Sequence, residues 1–144
     1  MDLSVTDLVE ELKFRTRMQE TSVPVTDEEY ATLIKYAIRS LFVDTQRSSV
    51  YNKNLYYEQD GNVYYPVALK PIEEEYVMLT AMEGFYTQVA SSYMGLMNYT
   101  TDALSVQHAD KPYQNAKSSI EDTQARKRVV YYKMVDLTLP YIAD

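Results

Sequence analysis

A chain of 144 residues can hold one domain burying roughly 68–70% of its unfolded surface, and no linker, repeat or low-complexity run divides it. Its 21 acidic against 14 basic residues give a net charge of −7, which repels phosphate backbones and argues against sequence-specific nucleic-acid recognition. Lack of cysteine excludes a disulfide framework, a thiolate nucleophile and a cysteine zinc site, and a single histidine leaves little for metal or acid–base chemistry.

Tyrosine dominates the aromatic residues, 15 against three phenylalanines and no tryptophan. Its ring offers apolar area and its hydroxyl tolerates water, which suits surfaces alternately wet and buried and so a protein that assembles with others. The opening MDLSVTDLVEEL carries acids and no apolar core of signal-peptide length, and no apolar run reaches membrane-spanning length. The expected setting is the cytosol, or an assembly made there, with no membrane partner.

Ser4 to Arg17 reads as a short amphipathic helix with Val5, Leu8, Val9 and Leu12 in a narrow stripe and Ser4/Asp7 at capping-box spacing. After a polar link through Pro24, Thr26 and Glu29 form a capping box, and Val25 and Tyr30 can form a hydrophobic staple. Tyr30, Leu33, Ile34, Ala37, Ile38, Leu41 and Phe42 then give a wide buried face ending near Val43 or Asp44.

The segment from about 46 to 67 is irregular, with Asp60-Gly61 as a hairpin turn. Tyr56, Tyr57, Tyr64 and Tyr65 lie across its strands, and Pro66 confines it to an edge or an early end. A two-stranded hairpin is marginal alone, so it either packs on the helices or is completed by a partner.

Pro71 to Met97 is the stretch around which the chain is organised. Pro71 suits the first helical position, and Glu73, Glu74 and Glu75 face the positive end of the helix dipole. Leu79, Met82, Tyr86, Val89, Tyr93 and Leu96 share one face, widened by Met78 and Phe85. The other face carries Thr80, Gly84, Gln88, Ser91 and Gly95. It is either a solvated face with tolerated glycines or one that another backbone, of this chain or a neighbour, approaches closely.

Residues 98–111 are polar and mixed, and read as not helical throughout; Pro112 opens a last helix to about Asp136. Tyr113, Ala116, Ile120, Val130, Tyr131 and Met134 share a face that Thr123 and Lys127 interrupt, so its middle should be shallowly buried. Arg126, Lys127, Arg128 and Lys133 suit the C-terminal end of the dipole and read as a solvated face, because no nucleic-acid motif accompanies them. The tail from about 137 to 144 should be extended and free to dock, with Leu139 and Tyr141 as its anchors.

No phosphate loop, nucleophile elbow or HExxH is present, and His108 lies in the polar stretch with Asp102 and Asp110 nearby. No catalytic, cofactor or metal residue is assigned, and no cofactor is expected. The expected fold is mainly α, a small helical bundle on a long central helix with a short hairpin insertion. The candidate interaction residues are Tyr56, Tyr57, Tyr64, Tyr65, Gly84, Ser91, Gly95, Leu139 and Tyr141.

The sequence of elements resembles the head–tail connector, or adaptor, proteins beneath the portal ring of tailed bacteriophages. The likeness is carried by DLVEELKF, then TDEEYATLIKYAIRSLF, a strand-forming insertion, the Pro-initiated PIEEEYVMLTAMEGFYTQVASSY, and YTTDALSVQHADKP before a last helix, over residues 3–136. The long last helix and the tyrosine-rich hairpin depart from the simplest members. The resemblance implies a virion neck protein, assembled in the host cytoplasm into a ring of about a dozen copies joined head to tail. Its partners would be the portal and the next neck or tail protein, with DNA passing through an acidic channel. A rival reading is a cytosolic helical regulator or scaffold that binds one protein partner.

Overall fold

The computed structural model describes residues 2–45, 57–66, 68–99 and 103–138. The elements run β1 (Leu3–Ser4), α1 (Val5–Arg15), α2 (Asp27–Asp44), β2 (Tyr57–Gln59), β3 (Asn62–Tyr65), α3 (Pro71–Tyr99) and α4 (Ala103–Thr138). The fold is a small helical bundle with a three-stranded antiparallel sheet in the order β1-β3-β2.

The first three helices start where their local chemistry says they should. The Ser4 hydroxyl accepts from the Asp7 amide at 3.2 Å and caps α1. Thr26 and Glu29 form the reciprocal box that opens α2, with the Glu29 amide donating to the Thr26 hydroxyl at 3.2 Å. For α3, the Lys70 carbonyl accepts the first helical bond from Glu74, while the Lys70 amide donates to the Glu73 carboxylate at 2.9 Å. Such caps satisfy backbone donors that a helix start leaves unpaired, and the one at Thr26 and Glu29 does so reciprocally. Glu73 is therefore buried as a cap, beyond the dipole role its position suggests.

α3 is the hub. Tyr76, Val77, Met78, Leu79, Ala81, Met82, Phe85, Tyr86, Val89 and Tyr93 are all buried, so it is covered from several sides rather than along one stripe. Gly84 and Gln88 face α2, where a Cβ on Gly84 would sit 2.9 Å from Leu33 Cδ2 and Gln88 donates to Glu29. Tyr76 and Glu83 face α4, against Tyr131 and Lys127. Glu75 faces α1, where Arg15 grips its carboxylate through two bonds of 2.9 and 2.8 Å. α2 and α4 thus lie on separate flanks of α3 and scarcely touch each other.

Two expectations are corrected here. The stretch 103–111 is helical: α4 begins at Ala103 and runs 36 residues, about 54 Å at about 1.5 Å per residue, with Pro112 inside it. Proline removes the bond to the carbonyl four residues back, which is that of His108. His108 itself is exposed, whereas Pro112 is buried. The middle of α4 is also deeper than its pattern suggested, for Thr123 is only 2% exposed and is as much core as Ala116 and Met134. Leu96 is a smaller departure, half exposed near the end of α3 rather than part of the buried face.

The hairpin forms on its expected turn, with Asp60 at φ 54° and Gly61 at φ 80°, the two left-handed positions of a type I′ turn. It is completed from within the chain. β1 pairs with β3 in the register Leu3↔Tyr65 and Ser4↔Tyr64, which ties the N-terminus to the insertion. Tyr56, Leu139, Tyr141 and the tail beyond Thr138 lie outside the described residues.

Candidate interaction surfaces

The expected interaction residues separate into those taken up by the fold and those left at the surface. Tyr65 is buried beside Leu3, and Gly84 is closed by Leu33 of the same chain, so both serve the core. Ser91 is exposed, and nothing lies within 4 Å of a Cβ built on Gly95. Hence the small-residue face of α3 is closed at one end by α2 and open at the other. It does not offer a continuous second contact face. Tyr57 and Tyr64 stack across β2 and β3 with centroids 5.4 Å apart, and the Tyr57 hydroxyl donates to the Asp2 carboxylate. β2 is exposed at all three positions and forms the edge of the sheet.

A groove of about 500 Å³ opens where the end of α2, the first turns of α3 and the second half of α4 meet. Asp44, Tyr76, Glu83, Lys127, Tyr131 and Tyr132 line it. Tyr76 donates its hydroxyl to the Asp44 carboxylate, and its ring lies 6.2 Å from that of Tyr131. Burial first, and then the bond to Asp44, push the Tyr76 hydroxyl well above the ordinary tyrosine value, so it stays a donor. Lys127 sits 5.3 Å over the Tyr76 ring and 3.9 Å from Glu83, its charge balanced within the chain. These groups answer one another, which makes the groove a lock between α2, α3 and α4 more than a reaction site.

Among the described residues no cluster of three or more histidine, aspartate or glutamate side chains could hold a metal ion. His108 is exposed on α4. Among the described residues no helix is long and apolar enough to cross a membrane.

The surface features that the sequence reading missed are apolar side chains lying off the core stripes. Tyr36 and Val43 project from α2, and Val129 and Tyr132 from α4, each more than half exposed. Seven residues separate Tyr36 from Val43, about two helical turns, so both lie on one outer face. Their signal was present as apolar residues out of phase with Ile34, Ile38 and Leu41. Comparison with protein-family models, with curated proteins and with solved structures finds no match to this chain.

Proposed function

We propose that this chain is a structural subunit of a ring at the head–tail junction of a tailed bacteriophage, seated beneath the portal and joined to the next neck or tail protein. The observation that carries the reading is the placement of α2 and α4 on separate flanks of α3, each with its own exposed apolar pair. A ring closes only through head-to-tail contacts, and those need two different faces on every subunit. The order of elements supports it too: a short α1, a capped α2, a strand-forming insertion, a Pro-initiated α3 and a return helix. An acidic chain of net charge −7 suits a channel through which DNA slides without sticking.

The test is affinity purification of the tagged chain from cells producing the virus, with co-purifying proteins identified by mass spectrometry. Recovery of portal and tail proteins is the expected result. A stoichiometric complex with one soluble protein and no virion component would replace this reading with that of a regulator or scaffold.

A further inference from the structure

Resting on the ring reading, we propose that neighbouring copies join by arm exchange, in which β1 and α1 of one copy occupy the seat on α2, α3 and β3 of the next. The occupant of that seat is set by contacts the chain itself displays. Leu3 and Ser4 pair with Tyr65 and Tyr64 of β3, and the Val63 amide donates to the Thr6 hydroxyl at 3.4 Å. Val5, Leu8, Val9 and Leu12 are buried in the common core. Arg15 grips Glu75 of α3 through two bonds, and Lys13 bridges Asp27 of α2 at 2.6 Å. A second copy presents the same partners in the same order, so an exchanged arm keeps these contacts and needs no new surface.

Exchange depends on the connection between arm and body, and this connection is suited to it. Eleven residues separate Arg15 from Asp27, more than the roughly 2–8 usual between bundled helices, although Lys13 and Asp27 already touch. Thr16 stays with the arm, its hydroxyl bonded to the Leu12 carbonyl at 2.8 Å. From Glu20 to Val25 no backbone–backbone hydrogen bond is formed among the described residues, and Glu20, Thr21, Val23 and Pro24 are exposed. Val23 precedes proline, which disfavours helical backbone and favours an extended course. Drawn out, the link reaches about 36 Å, more than the breadth of a small domain. The backbone bonds given up on re-routing are those of the Arg17 and Gln19 amides to the Phe14 and Thr16 carbonyls, at 3.5 and 3.1 Å. When each copy gives its arm to one neighbour and receives one from the other, the contact is head to tail and closes a ring.

Because the chain has no cysteine, a pair of cysteines placed across the seat reports where the arm lies. Arg15→Cys with Glu75→Cys is one such pair. Asp2→Cys with Tyr57→Cys is a second, at exposed positions, for use if circular dichroism shows that the first disturbs folding. The double variant is recovered in assembled form from cells producing the virus, and also purified alone at rising concentration, and each sample is treated with a short bis-maleimide. Exchange predicts a ladder of joined chains running past the dimer. An assembly that mixes the Arg15→Cys and Glu75→Cys single variants is expected to yield joined dimers, which neither single variant yields alone.

Rings whose chains carry only internal links would overturn the exchange and leave the ring reading standing. Linking that stops at the dimer would overturn it too, because two copies would then be trading arms reciprocally. A ladder formed by the purified chain, with no virion protein ever recovered beside it, would sustain the exchange and remove the head–tail ring.

Discussion

At Gly84 and Gly95 the same residue type answers two different demands. Gly84 lies under Leu33, where an added Cβ would approach Cδ2 to 2.9 Å, while Gly95 has open space around it. Gly84→Leu is therefore expected to lower stability by about 1–3 kcal/mol through overpacking. Gly95→Ala should raise it by about 0.5–1 kcal/mol through helix propensity. Urea denaturation of the two variants checks both signs. Glu75 provides a pH-dependent counterpart. The Arg15 guanidinium holds its carboxyl below the ordinary value of 4.5, so the pair stabilises the fold above that value and is lost as pH falls through the lowered one. The pair is partly solvated, so its contribution is about 0.5–1 kcal/mol. Glu75→Gln should accordingly cost about that much at neutral pH and flatten the acid limb of the stability profile, followed by thermal unfolding between pH 3 and 6.

Local signals that close within a few residues were legible in the sequence. The Ser4 and Thr26 caps, the Asp60-Gly61 turn, the start of α3 at Pro71 and the buried faces of α1 and α2 all stand where periodicity and capping chemistry put them. What was not legible depends on residues far apart in the chain. β1 is a two-residue strand, too short for any pattern, and exists because β3 offers it a partner some 60 residues away, as in Leu3↔Tyr65. The first turns of α4 are polar, and a proline at 112 argues locally for a helix start; packing along α3 overrides both. Pro112→Ala should consequently stabilise the protein by about 1 kcal/mol or more and leave its helix content unchanged, read by circular dichroism during thermal melting. Gly61→Val places a branched side chain at φ 80° and should cost about 1–2 kcal/mol. Amide exchange should then show lost protection at Val63 to Tyr65 with α3 intact, because the sheet contacts the bundle mainly through α1.

For the molecule as a whole, the sequence left the small-residue face of α3 either solvated or closely approached by another backbone. The structure covers most of that helix, leaves Met94 and Leu96 exposed near its end, and puts further exposed apolar pairs on the helices flanking it. The surface retains Tyr36, Tyr57 and Tyr132, of which Tyr57 stacks on Tyr64 and Tyr132 packs against Tyr131 within the chain. Acidic charge, separate outer faces and the order of elements are the observations on which the proposed reading, a subunit that repeats around an axis, rests. Electron microscopy of particles recovered through the tagged chain tests this most directly, by counting the copies and their symmetry. A closed ring of about a dozen copies, coaxial with a portal, is the result the account predicts. A single copy bound to a single partner, with no rotational symmetry, would contradict it.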